Sequence, residues 1–188
     1  MACLYSSTPS SAEPEASAWN LETLMEAMAQ VKSSSARYEL VEHRSITTKP
    51  LVSSGKLVYK APDYIERRSE KPLPGYFIVE KDNLRLKTEG QKERRLVLYQ
   101  FPPIHALVEA MRSTLSGNIK TLKNFYQASL SGNRKAWTLK LNPLDEEMLT
   151  YVDAMTLHGS GTQLHRVETL EAGGDRSIMT VSDHGMTL

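Results

Sequence analysis

Residues 95–117 read RLVLYQFPPIHALVEAMRSTLSG, and the hydrophobic period changes inside that stretch. Through Tyr99 it continues a series of short strands. Pro102 and Pro103 then open a helix, because a first-turn proline gives up no hydrogen bond the helix needs. Ile104, Leu107, Val108, Met111 and Leu115 fall on one face, the spacing of an amphipathic helix. Gly117 is a natural stop. The helix stands mid-chain, so whatever precedes and follows it decides the architecture.

What precedes it is strand-like. Alternation begins at Ala36, Tyr38 and Leu40 and runs toward Ile46, with Thr48-Lys49-Pro50 as a break. Gly55 to Lys60, Tyr64 to Ser69, Tyr76 to Glu80, Leu84 to Lys87 and Arg95 to Tyr99 follow, separated by short polar, Pro- or Gly-containing turns. Connections this short leave no room for a parallel crossover, so the pairing is antiparallel. After the helix, Phe125 to Leu130 and Ala136 to Leu141 read as a hairpin, with Trp137, Leu139 and Leu141 on one face. Asp145-Glu146-Glu147 reads as an acidic loop. Leu149 to His158, Gln163 to Leu170 and Ser177 to Val181 read as further strands.

A second, shorter helix opens the folded part. Asn20 is its expected N-cap, and Leu21, Leu24, Met25, Met28 and Val31 recur at helical spacing before Ser33-Ser34-Ser35. Roughly ten strands in one sheet do not stay flat; they twist and curl. Two helices with apolar faces then lie in the concavity. The expected fold class is α+β, with helices on one side of a curled antiparallel sheet.

Composition narrows the function. The chain has 188 residues, 40% hydrophobic and 24% charged, one globular domain's worth. Its single cysteine, Cys3, excludes a disulfide scaffold and a multi-cysteine zinc site. Residues 1–18 are rich in Ser, Ala, Pro and Glu and read as a disordered tail bearing an exposed thiol. They lack the basic start and apolar stretch of a signal peptide. The expected folded domain is 19–183.

Net charge is +1, but it is unevenly spread: 20 basic against 10 acidic residues from Arg37 to Asn142, and 2 against 8 from Pro143 onward. Complementary faces of one domain are the simplest reading. Basic residues interleave with Tyr59, Tyr64 and Tyr76, but Glu66, Glu70 and Glu80 dilute them, so no nucleic-acid partner is expected.

Catalytic signatures are missing from the sequence: no HExxH, GxSxG, P-loop or GxGxxG occurs. His158 and His165 flank a hairpin turn, which reads as two exposed hairpin residues rather than a metal site. No metal, cofactor or catalytic residue is assigned.

The order of elements, together with Gly55-Lys56-Leu57-Val58-Tyr59-Lys60-Ala61-Pro62-Asp63-Tyr64, resembles the periplasmic outer-membrane lipoprotein carriers, the LolA-like family, whose strand here has the form G-x-L-W-x-x-x-P. Ser160-Gly161-Thr162 through Arg176-Ser177 resembles the family's late hairpin. The resemblance covers about 20–182, and the family's longer C-terminal segment has no counterpart after Val181. It implies an incomplete β-barrel with a helical lid over a hydrophobic cavity. It also implies a non-enzymatic, periplasmic carrier for the acyl chains of a lipoprotein or another amphiphilic lipid. Inner-membrane donor and outer-membrane acceptor proteins are its implied partners, and the expected state is a monomer.

On this reading the cavity residues are Met25 and Met28 from the first helix and Leu107, Val108 and Met111 from the second. From the sheet they are Tyr38, Leu40, Tyr64, Tyr76, Ile78, Trp137 and Leu139. The family's cargo-handover arginine falls to Arg67 or Arg68, one register position past the family's, where Glu66 stands. The alternatives are a periplasmic signalling or interaction module on the same scaffold and, less favoured, an enzyme acting on a lipid-like substrate.

Overall fold

The computed structural model describes residues 19–187, so the expected tail and Cys3 lie outside the described residues. Eleven strands form one antiparallel sheet: β1 (Ser33–His43), β2 (Leu51–Lys60), β3 (Tyr64–Lys71), β4 (Gly75–Glu80), β5 (Asn83–Thr88), β6 (Arg94–Val97), β7 (Tyr126–Asn133), β8 (Ala136–Pro143), β9 (Val152–Ser160), β10 (Gln163–Glu171) and β11 (Arg176–Thr187). The order is β6-β5-β4-β3-β2-β1-β11-β10-β9-β8-β7. Each neighbour is therefore a sequence neighbour except at the centre, where β1 meets β11 and joins two meanders. Strands β6 and β7 stand at opposite edges, and the sheet is not closed into a barrel.

Four helices accompany it: α1 (Leu21–Met28), α2 (Pro102–Leu115), α3 (Ile119–Phe125) and α4 (Glu146–Leu149). Side-chain caps start three of them, and Pro102 and Pro103 open α2. The Thr23 amide donates to Asn20 Oδ1 at 2.9 Å and the Asn20 amide to Thr23 Oγ1 at 2.9 Å, a reciprocal cap on α1. The Thr121 amide donates to Asn118 Oδ1 at 3.0 Å. The Met148 amide donates to Asp145 Oδ1 at 3.1 Å, so the expected acidic loop is a capped helical turn. The expected strand from Phe125 begins one residue later, because α3 occupies the segment before it.

Two apolar clusters hold helices to the sheet. In the first, Leu24, Met25 and Met28 of α1, Ala106 and Ala110 of α2 and Leu122 of α3 pack on Trp137, Leu139, Leu141, Met155 and Leu157. Trp137 lies across Gly159, where a Cβ would stand 2.2 Å from the indole ring, and its Nε1 donates to the Gly161 carbonyl at 2.9 Å. Each fully buried Leu or Met in this cluster contributes about 1.5–3 kcal/mol. In the second, Ile104 and Val108 of α2 pack on Val79, Leu84, Leu98, Phe77 and Ile65 of the other meander. Helix α2 spans both clusters.

Candidate functional site

A cavity of about 410 Å³ lies under α2 between the two clusters. Its roof is Ile104, Leu107, Val108, Met111 and Leu115, the apolar stripe of the helix. Its floor is the concave face at the centre of the sheet. Ladder pairs align that floor: Ala36 with Leu57, Leu57 with Arg67, Arg67 with Phe77, Leu40 with Met179, and Met179 with Val167. Residues directly opposite in an antiparallel ladder share a face, so these side chains form one wall.

The walls are apolar apart from a few groups. Glu42 lies at one end, neutralised by Arg44 at 2.7 Å. Arg67 stands on the floor with its guanidinium carbon 5.8 Å from the Phe77 ring centroid. Tyr59 is 3% exposed, and its hydroxyl has no hydrogen-bond partner among the described residues. Burial, helped by the charge of Asp63, pushes the Tyr59 phenol up to about 12.

The expected cavity residues divide by place. Leu40, Leu107, Val108 and Met111 line the cavity. Met25, Met28, Trp137 and Leu139 are in the first packed cluster instead, because α1 seats directly on the apolar wall of β8 and β9. Tyr38 stands on the concave face between Gly55 and Val181, buried, but outside the cavity lining.

Tyr64, Tyr76 and Ile78 are corrected: they lie on the sheet face opposite the cavity, where Ile78 is nonetheless buried. In β3 and β4 the inward residues are Ile65, Arg67, Phe77 and Val79, and a one-residue step places the next side chain on the other face. Tyr64 donates to Glu66 at 2.7 Å, and Ile78 is flanked across the ladder by Glu66 and Arg85. The same alternation separates the two arginines. Arg67 faces the cavity, whereas Arg68 lies outside, donating to Glu66 at 2.8 Å over the Tyr76 ring. Sequence reasoning missed Leu57, Phe77, Val167 and Met179 of the lining. Once the register is known, their ladder pairs identify them.

Each hairpin histidine stands beside a hydroxyl. His158 Nδ1 is 3.0 Å from Thr138 Oγ1, and His165 Nε2 is 2.7 Å from Ser160 Oγ. Among the described residues no three metal-ligating side chains converge, and no helix is long and apolar enough to cross a membrane.

The profile of the family described as outer membrane lipoprotein carrier protein LolA-like matches residues 12–182. The chain belongs to this LolA-like family. No curated protein matches it. Among solved structures, this LolA-like chain is similar to a LolA superfamily protein from Nitrosomonas europaea at 11% identity, over 91% of this chain and 95% of that one, with a TM-score of 0.46. It is similar to a putative outer membrane lipoprotein-sorting protein domain from Vibrio parahaemolyticus at 12% identity, over 89% and 92%, TM-score 0.49. It is also similar to a chain of the MucA/MucB complex of Pseudomonas aeruginosa at 11% identity, over 89% and 57%, TM-score 0.49.

Proposed function

We propose that the protein is a non-enzymatic periplasmic carrier that shelters the acyl chain of a lipoprotein or related amphiphilic lipid in the cavity under α2 and delivers it toward the outer membrane. The observation that carries this reading is the unfilled apolar space between two packed clusters, roofed by the apolar stripe of one helix. Membership of the LolA-like family supports it.

The energetics explain the need for a container. A hydrocarbon tail gains about 0.8 kcal/mol for each methylene moved out of water, so an acyl chain crosses an aqueous compartment only inside an apolar host. A volume of about 410 Å³ lies within the 300–1,000 Å³ typical of ligand pockets. Met111 and Met179 add flexible, polarizable surface to the walls, which suits binding that must later be undone. An inner-membrane donor and an outer-membrane acceptor are the partners such a carrier requires.

The test is titration of lipid-stripped protein with a fluorescent fatty-acid probe. Micromolar binding is expected, and Leu107→Glu, which sets a charge in the roof, abolishes it. Absence of binding by the wild-type chain overturns the carrier reading.

A further inference from the structure

We infer that the cavity selects an acyl chain with an acidic head, a carboxylate or a phosphate monoester, held by Arg67 and Tyr59. The inference rests on the acyl-binding reading above and names the chemistry of the ligand.

Arg67 and Tyr59 both line the cavity floor, and neither side chain makes a hydrogen bond among the described residues. Arg67 is half-buried and lines the cavity. Among the described residues no carboxylate lies within ion-pair distance of it, and its contact is the face of Phe77. Its neighbour Arg68, on the outer face, has Glu66. A guanidinium in an apolar wall offers a planar fork of donors matched to two oxygens of a carboxylate or phosphate.

Tyr59 supplies the independent second observation. It is 3% exposed, and its hydroxyl is unpartnered among the described residues. A buried polar group left unpaired costs free energy that a ligand acceptor would recover. With its phenol pushed up to about 12, the group is a neutral donor at ordinary pH.

The register puts the two together. Leu57 pairs with Arg67 and Tyr59 with Ile65 on adjacent strands, so Tyr59 and Arg67 are diagonal neighbours on the concave face, with Cα atoms roughly 7–8 Å apart. Arg67 and the Tyr59 ring therefore share one part of the cavity wall. Ser34, directly opposite Tyr59, adds a hydroxyl to the same part of the wall.

The far end differs. Glu42 lies six residues beyond Ala36 along β1, about 20 Å at the rise of a strand, and is already matched by Arg44. The acid therefore does not cancel the Arg67 charge. The head sits at Arg67 and Tyr59, and the tail runs beneath Leu107 and Met111 toward Leu40 and Met179.

Calorimetric titration of lipid-stripped full-length protein with dodecanoate, dodecyl phosphate and dodecanol tests this at constant chain length. At least one of the two acids is expected to bind at least tenfold more tightly than the alcohol, and the tighter acid assigns the head. Arg67→Gln is expected to reduce that acid to the affinity of the alcohol and leave the alcohol unchanged. Tyr59→Phe weakens the acid severalfold, and Arg68→Gln on the outer face changes nothing. Arg67→Lys, which keeps the charge, retains an acid preference and serves where the glutamine variant does not fold. Equal wild-type binding of alcohol and both acids overturns the inference and leaves acyl binding standing. So does an equal loss for acid and alcohol in Arg67→Gln. Failure of all three to bind overturns both readings.

Discussion

A Cβ placed on Gly117 would stand 2.1 Å from the carbonyl oxygen of Met25. The end of α2 is thus pressed against the backbone of α1, and Gly117 adopts a φ of +67° there.

Gly117→Ala is accordingly expected to destabilise the protein by about 2–4 kcal/mol, combining the cost of a left-handed backbone for an L-residue with overpacking against fixed backbone. Urea unfolding measures it. A variant as stable as the wild type would mean that α1 and α2 do not meet in this way in solution.

The difference between packed and unfilled regions gives a second expectation. Leu139 is fully buried in the first cluster, so Leu139→Ala should cost about 2–5 kcal/mol. Met111 is half-buried beside the cavity, where truncation enlarges a space that already exists. Met111→Ala should cost only about 1 kcal/mol. Equal losses in denaturant titrations would show that the space under α2 is filled by protein.

Much of this architecture was legible in the chain, because periodicity reports one-sided burial. The stripe from Ile104 to Leu115 predicts the roof helix, and the strand spacing predicts an antiparallel meander. Helix α3 escaped because its seven residues give barely two turns of pattern, and α4 because Glu146 and Glu147 suggest a solvated loop. Face assignment failed in β3 and β4 for a different reason. Tyr64, Tyr76 and Ile78 on one face are as apolar as Ile65, Phe77 and Val79 on the other, so alternation alone does not choose between them. The cavity is legible least of all. Met25 and Met111 look alike in a sequence, and only the seating of α1 on Trp137 and Leu139 separates packed core from lining.

Arg112 ties the roof to the rim of the sheet. Its guanidinium donates to Glu109 and, at 2.7 Å, to the carbonyl of Lys81 in the β4–β5 turn. The Glu109 side chain is 5% exposed, with His105 3.5 Å away. Arg112→Ala strands that carboxylate and should cost about 3–5 kcal/mol. Adding Glu109→Gln should recover part of the loss, since the uncompensated charge is then gone. A double-mutant cycle in urea checks this; a purely additive result would mean that the two side chains do not interact.

At the opposite end of the cavity, beyond Glu42 and Ser177, Asp175 joins two turns. The Ser45 amide donates to its Oδ1 at 2.6 Å, and Arg44 stands 3.6 Å from its other oxygen. The bond from the Ser45 backbone, then that from the Ser45 side chain and the nearby guanidinium, hold the Asp175 carboxyl below the usual carboxylate value. Because the folded value is the lower one, the ionised group favours the folded state above the unfolded value near pH 4. That contribution is lost as pH falls from there through the folded value. Asp175→Asn, which cannot ionise, removes this one source of acid sensitivity. Urea midpoints at pH 6 and pH 3 should therefore fall less in the variant than in the wild type. An identical fall in both would show that the charge on Asp175 does not help hold the β1–β2 and β10–β11 turns together.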